Sequence, residues 1–129
     1  MLGCSFHFLI QFFALDIVYP KEVVSVVLTK EDSGTVVDIG AGDFFEIELE
    51  GNPSTGFWWH FAHLDEECLE VIREETKKIS EKRLGAPVLG RWILRAKSCG
   101  ETTVKMAYYR QWEGLSEAAD KVNFIIKIQ

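Results

Sequence analysis

The chain has 129 residues, with 14 Lys or Arg against 20 Asp or Glu, so its formal net charge is −6. This length predicts one domain with one core, and it excludes a complete Rossmann-type enzyme or a TIM barrel. The acidic balance lacks the basic surface that nucleic acids and anionic membranes attract, so neither is expected as a partner of the folded domain.

The first segment, residues 1–20, is apolar and has no Lys or Arg. It has the hydrophobicity of a signal peptide, but Asp16 interrupts its end and no cleavage motif of small residues follows. The apolar run is also shorter than a membrane-spanning helix. We therefore interpret residues 1–20 as an apolar leader or N-terminal extension and residues 21–129 as a single domain. The protein is expected to be secreted or endolysosomal if the leader is a signal peptide, and cytoplasmic otherwise.

From Val23 onward, apolar and polar residues alternate with a period of two, which predicts short strands. In one strand Phe45, Ile47 and Leu49 alternate with three glutamates, and we expect this acidic face to lie in water. The other predicted strands are Val23–Thr29, Thr35–Ile39, Arg91–Lys97, Thr103–Tyr108 and Lys121–Ile128. Short strands separated by glycine- and proline-containing turns predict an all-β, antiparallel sandwich or barrel.

One segment, residues 64–83, fits two structures. It is rich in charged helix formers and has apolar residues at near-helical spacing, which favours a helix. The alternation of Leu69 and Val71 with Glu70 and Arg73 also fits a strand followed by an exposed hairpin. The pattern alone leaves both structures open.

The stretch Val36–Gly42 is similar to the glycine-rich first motif of S-adenosylmethionine-dependent methyltransferases. In such enzymes the glycine turn leads from a strand into a helix. Here the glycines precede Asp43–Leu49, whose residues alternate as in a strand. We therefore interpret the glycines as a hairpin turn, and no cofactor is expected.

No group of residues has the pattern of a catalytic or metal site. His60 and His63 are three residues apart, so on a strand they lie on opposite faces and are interpreted as histidines at the edge of the core. Cys4, Cys68 and Cys99 form no C-x-x-C pair. Their odd number and wide spacing predict three free thiols, although one disulfide is compatible with the count.

Three loops between strands carry the residue types of a binding surface. The first, residues 51–58, contains a proline that stiffens it and a glycine that allows a positive φ, with Ser and Thr at its tip. The second, residues 84–90, is uncharged, and the third, residues 109–114, contains the Tyr, Arg and Trp side chains that dominate many interfaces. In an immunoglobulin-like sandwich alternate loops gather at one end, where these three would form one surface.

These three segments, in this order, resemble the loop motifs of the chagasin family of cysteine-protease inhibitors. The family motifs N-P-T-T-G-[YF], G-x-G-G and R-P-W correspond to Asn52-Pro53-Ser54-Thr55-Gly56-Phe57, Gly85-Ala86-Pro87 and Arg110-Gln111-Trp112. The resemblance extends from about Thr35 to Ile128. The chain departs from the family where Ser54 replaces threonine, Pro87 and Val88 replace glycines, and Gln111 replaces proline. We expect a stiffer second loop and a looser third loop.

The resemblance implies a single immunoglobulin-like β-sandwich that acts as an inhibitor and not as an enzyme. It implies a monomer that binds papain-like, cathepsin L-like cysteine proteases reversibly and tightly, with the first loop in the active-site cleft and the other two on its flanks. It implies no metal or cofactor, and it favours a strand and an exposed hairpin for residues 64–83. The alternative is an immunoglobulin-like adhesion or carbohydrate-binding module, whose tryptophans would form a flat exposed platform.

Overall fold

The computed structural model describes residues 23–79 and 86–129, which form two four-stranded β-sheets around one core. The strands are β1 (Val24–Leu28), β2 (Val36–Ile39), β3 (Phe44–Gly51), β4 (Phe57–His63), β5 (Leu69–Lys78), β6 (Val88–Ala96), β7 (Glu101–Arg110) and β8 (Asp120–Ile128). The predicted immunoglobulin-like β-sandwich is confirmed. Within the described residues, no helix has the length and hydropathy needed to cross a bilayer. The predicted leader, residues 1–20, lies outside the described residues.

The sheets have the strand orders β1-β3-β6-β5 and β2-β8-β7-β4. Their pairings are antiparallel except at two edges, where the short strands β1 and β2 lie parallel to β3 and β8. Alternate residues of each strand face the space between the sheets, as the period of two predicted. The buried core includes Phe45, Ile47, Leu49, Trp59, Leu69, Trp92, Leu94, Val104, Met106, Val122, Phe124 and Ile126.

The glycine turn at residues 40–42 passes from one sheet to the other, so its interpretation as a hairpin turn is wrong. Backbone hydrogen bonds tie it to both sheets: the Gly42 N–H donates to the Ala96 carbonyl at 2.7 Å, and the Ala41 N–H donates to the Gln129 carbonyl at 2.8 Å. The turn leads directly into β3, as the alternation after the glycines predicted. This strand–turn–strand arrangement differs from the strand–turn–helix of a nucleotide-binding motif.

Residues 64–83 contain the strand β5, which confirms the strand that the family resemblance favoured. β5 pairs with β6 from Leu69 opposite Ala96 to Lys78 opposite Val88. The hydrogen-bonded ladder and the burial of Leu69 outweigh the helix propensity of the charged residues. The last part of the segment with the predicted hairpin, residues 80–83, lies outside the described residues.

The outer face of β3 is not wholly in water, so that expectation is wrong for Glu46. Its side chain is only 3% exposed and forms a two-pronged pair with Arg91 of β6, with Nε–Oε2 and Nη2–Oε1 distances of 3.0 and 2.8 Å. Ile93, its cross-strand partner, is buried beside it. Burial of a carboxylate requires a charged partner of this kind. The hydrogen bonds from Arg91 lower the pKa of Glu46.

Cys68 and Cys99 form a disulfide, so the prediction of three free thiols is wrong. The bond joins the turn before β5 to the loop between β6 and β7, with the two Cα atoms 5.2 Å apart. Strand pairing explains the contact, because Leu69 lies opposite Ala96 and the Lys97 N–H donates to the Cys68 carbonyl at 2.8 Å. Cys4 lies outside the described residues.

Candidate functional site

Strand pairing brings the three predicted loops to one end of the sandwich. Gly51, the last residue of β3, pairs with Val88, the first residue of β6, so the first loop begins beside the end of the second. Phe57, the first residue of β4, pairs with Arg110, the last residue of β7, so the first loop ends beside the start of the third. The loops therefore lie at neighbouring strand ends, as expected for this type of sandwich.

The first loop contains a 3₁₀ turn, Pro53–Thr55, that is closed by its own hydrogen bonds. The Asn52 carbonyl accepts hydrogen bonds from the backbone N–H and the hydroxyl of Thr55, at 3.1 and 2.6 Å. The Ser54 hydroxyl donates to Asn52 Oδ1 at 2.5 Å. Gly56 ends the turn with a φ of 88°, so the predicted positive φ is confirmed. The turn is exposed and presents its Ser and Thr residues.

The third loop packs directly against the first. Trp112 is 73% exposed, yet its indole lies so close to Gly56 that a Cβ added there would overlap the ring. Arg110 Nε donates a hydrogen bond to the Thr55 carbonyl at 3.0 Å. Gln111 is exposed beside them. The first and third loops therefore form one continuous surface.

A ladder of stacked side chains connects this surface to the core. The ring of buried Trp59 lies 5.1 Å from that of Tyr108, which stacks at 5.4 Å on Phe57. The guanidinium of Arg110 lies 4.4 Å from the centre of the Phe57 ring and 6.0 Å from that of Trp112. Such stacking of aromatic and cationic groups is favourable and restricts the rotamers of its members. The exposed Trp112 is thereby linked to a rigid interior.

Tyr108 is a site residue that the loop motifs do not include. Its hydroxyl accepts a hydrogen bond from the backbone N–H of Asn52 at 2.8 Å, which holds the start of the first loop. One signal for it was present in the sequence: Tyr108 and Arg110 are two residues apart, so their side chains share a face once the strand predicted for Thr103–Tyr108 extends to Arg110, as β7 does.

The second loop is shorter than the predicted Leu84–Gly90, because Val88 to Gly90 are the first residues of β6. Leu84 and Gly85 lie outside the described residues, so the described part consists of Ala86 and Pro87, both half-buried. Pro87 lines a cleft of about 540 Å³ that is also lined by residues of the first loop and of the aromatic ladder, among them Asn52, Trp59 and Tyr108.

The other candidate residues do not form a metal or glycan site. His60 packs its ring 4.6 Å from that of Tyr109. In residues 23–79 and 86–129, Asp65, Cys68 and Cys99 form the cluster of potential metal ligands, but the disulfide uses both sulfurs and leaves one carboxylate.

The four tryptophans do not form a flat exposed platform, which removes the feature expected of a carbohydrate-binding module. Trp59 and Trp92 are buried, and Trp58 is half-buried with its ring 6.0 Å from that of Trp92. Trp112 alone among the four is exposed.

Comparisons with known proteins point to one family. The family model described as "Chagasin family peptidase inhibitor I42" matches residues 38–128. Chagasin from Trypanosoma cruzi is 27% identical over 104 residues, which cover 78% of this chain and 94% of that protein. Amoebiasin-2 from Entamoeba histolytica is 28% identical over 119 residues, or 92% of this chain and 96% of that protein. The crystal structure of the cysteine protease inhibitor EhICP2 from Entamoeba histolytica aligns with a TM-score of 0.74 at 24% identity, covering 86% of this chain and 100% of that one.

Proposed function

Because the chain belongs to the chagasin family of peptidase inhibitors, we propose that it is a monomeric, reversible and tight-binding inhibitor of papain-family cysteine proteases, with cathepsin L-like enzymes as targets. The EhICP2 structure, which has a similar fold, is that of a cysteine protease inhibitor, and this supports the choice of protease class. No residue of the chain is proposed to react with the protease, and binding is noncovalent.

In this proposal the first loop, Asn52–Phe57, enters the active-site cleft and covers the catalytic cysteine of the protease. Its turn is narrow, uncharged and exposed, so little electrostatic desolvation opposes its insertion. The hydrogen bonds that close the turn exist before binding, so little conformational entropy is lost when the cleft takes it up.

The observation that carries the proposal is the contact between the exposed Trp112 indole and Gly56 of the turn. It fixes a large apolar anchor beside the inserted loop, and buried aromatic anchors dominate many interfaces. Arg110 and Gln111 lie on this same side, while Gly85, Ala86 and Pro87 are proposed to contact the opposite flank of the cleft.

Titration of papain and of a cathepsin L-like enzyme with the purified chain tests the proposal. We expect a stoichiometric loss of activity that dilution reverses.

Trp112→Ala should raise the inhibition constant about 30- to 100-fold, because the anchor is lost. Val36→Ala is the matched control: Val36 is also an exposed apolar residue, at 53%, but it lies on the edge strand β2, and its replacement should leave the constant unchanged. A parent chain that leaves both proteases active would refute the proposed function.

A further inference from the structure

An inhibitor that occupies a protease cleft must avoid being cut there, and two side chains of β7 are placed to prevent cleavage. We propose that Tyr108 and Arg110 are positioning residues that clamp the two ends of the turn between Asn52 and Gly56 and thereby protect it from hydrolysis. This inference rests on the proposed function, since it requires that a protease binds at the turn.

The clamp grips both ends of the turn through backbone atoms. At the start, the Asn52 N–H donates to the Tyr108 hydroxyl at 2.8 Å. At the end, Arg110 Nε donates to the Thr55 carbonyl at 3.0 Å. The Phe57 ring contacts both clamping groups, at 5.4 Å from the Tyr108 ring and 4.4 Å from the guanidinium.

The clamp is built on a rigid support. β7 pairs with β4 as far as Arg110 and with β8 as far as Tyr108, so the backbone that carries the two side chains is held in place. The Arg110 guanidinium also pairs with Glu113 at 3.5 Å, while the Arg110 carbonyl accepts backbone hydrogen bonds from Glu113 and Gly114 at 2.9 and 3.1 Å. These contacts orient the guanidinium toward Thr55.

Three carbonyl groups of the turn accept hydrogen bonds from other groups of the inhibitor. Those of Asn52 and Pro53 accept hydrogen bonds within the turn, the latter from the Gly56 N–H at 2.9 Å, and that of Thr55 accepts from Arg110. Hydrolysis requires that a carbonyl oxygen reaches the oxyanion hole of the protease while the carbon comes within about 3–3.5 Å of the attacking sulfur. The turn must therefore open before these peptide bonds can be cut, and the clamp opposes its opening.

The reaction that the clamp suppresses is ordinary peptide hydrolysis. The thiolate of the protease attacks a carbonyl carbon, the C–N bond breaks, and the amine leaves with a proton from the histidine of the protease. One water then hydrolyses the thioester, so the two fragments together weigh one water more than the intact chain. Mass spectrometry therefore identifies both the cleavage and its position.

The test follows papain activity and intact mass over time with the full chain and with Tyr108→Phe, Arg110→Ala and the double variant. The parent should inhibit without being cut. The inhibition constant should rise about 3- to 10-fold for Tyr108→Phe and on the order of 10- to 100-fold for Arg110→Ala. With the double variant, inhibition should be temporary, and activity should return as fragments cut between residues 52 and 57 accumulate.

Two matched controls remove the same groups elsewhere. Ser25→Ala deletes a hydroxyl of β1 that donates to the Phe44 carbonyl at 3.0 Å, at the start of β3 and away from the first loop. Arg95→Ala deletes a guanidinium near the opposite end of β6, where its partner is Glu70 at 3.6 Å. Both variants should inhibit and resist cleavage like the parent.

If Arg110→Ala disturbs folding, amide hydrogen exchange in the free protein tests the clamp independently of that variant. Tyr108→Phe should accelerate exchange of the Asn52 amide about tenfold, because its acceptor is lost, with the melting temperature nearly unchanged. An unchanged exchange rate, or clamp variants that remain uncut with the inhibition constant of the parent, would overturn the clamp and leave the proposed function intact. A parent that does not inhibit papain would overturn the proposed function itself.

Discussion

At the scale of single residues, Gly56 combines two requirements that both exclude a side chain. Its φ of 88° lies in the left-handed region, where other residues cost about 1 kcal/mol or more. A Cβ at the same position would also overlap the indole of Trp112. The shape of the first loop and the place of the anchor on the third therefore depend on one glycine.

Gly56→Ala should raise the inhibition constant by at least about 10-fold, because both the turn and Trp112 must shift. Gly100→Ala is the matched control: its φ of 94° is similar, but no atom lies within 4 Å of an added Cβ. It should lower the free energy of unfolding by about 1 kcal/mol and leave inhibition unchanged. Equal inhibition by both variants would contradict the double role of Gly56.

Glu46 and Glu48 couple stability to pH in opposite directions. The pKa of Glu46 is lowered below 4.5 by the hydrogen bonds from Arg91, so its stabilisation is present above that pH and is lost as the pH falls through the folded-state value. The pKa of Glu48 is raised above 4.5, mainly by the neighbouring Glu46 carboxylate. The stabilisation that Glu48 contributes is present below pH 4.5 and is lost as the pH rises through the pKa of Glu48 in the folded state.

Glu46→Gln should reduce the free energy of unfolding by about 1–3 kcal/mol at pH 7, which is less than the loss of a fully buried pair because Arg91 is 34% exposed. The free energy of unfolding of this variant should also decrease less than that of the parent as the pH is lowered. Urea denaturation between pH 3 and pH 7, roughly the range that brackets a carboxylate titration, measures both effects. Glu70→Gln, which removes the 49% exposed partner of Arg95, is the control and should change little. An acid profile of Glu46→Gln identical to that of the parent would contradict the assignment.

At the scale of elements, β5 shows that pairing with a neighbouring strand can outweigh the helix propensity of the residues themselves. Its charged residues favour a helix, but in the extended strand alternate residues form backbone hydrogen bonds with β6. The Cys68–Cys99 disulfide anchors the start of this edge strand to the loop after β6. β5 is therefore held both by its ladder and by a covalent bond.

Reduction of the disulfide should lower stability by about 3–4 kcal/mol, the chain-entropy value for a loop closed over 31 residues. A reductant should accordingly lower the melting temperature on the order of 10 °C. The double variant Cys68→Ala/Cys99→Ala should melt at the temperature of the reduced parent and should show no further response to the reductant. If the reductant leaves the melting temperature of the parent unchanged, this disulfide contributes no stability.

At the scale of the whole molecule, binding and covalent reinforcement lie at opposite ends of the sandwich. Val88, where β6 begins, is beside the first loop, whereas Ala96, where β6 ends, is opposite Leu69 and next to the disulfide. At about 3.3 Å per residue, this strand separates the two ends by roughly 25 Å. Changes made at such a distance are expected to add without coupling.

Combining Cys68→Ala/Cys99→Ala with Trp112→Ala should therefore give additive effects. The triple variant should have the inhibition constant of Trp112→Ala. Its change in the free energy of unfolding should equal, within about 0.5 kcal/mol, the sum of the changes caused by the cysteine variant and by Trp112→Ala. Inhibition assays well below the melting temperature, together with urea denaturation, measure the two quantities. An inhibition constant that changes further when the disulfide is removed would reveal coupling between the two ends.

The residue pattern alone predicted an all-β sandwich or barrel, most of its strands and the order of the three loops, and the family resemblance selected the sandwich. Alternation with a period of two indicates which side of a strand is buried, and it can be read without knowing which strands are its neighbours. Pro53 and Gly56 restrict or permit particular φ values through their own covalent structure, so the turn of the first loop was also predictable.

Contacts between residues far apart in the chain could not be predicted from the local pattern. The burial of Glu46, the Cys68–Cys99 bond and the contact of Tyr108 with Asn52, 56 residues away, all depend on which strands are neighbours and in what register. Alternation specifies the face of a residue but carries no information on its partner, because any strand with the same period can supply the ladder. The clamp at the first loop therefore exists only once β7 lies beside β4 and faces the end of β3.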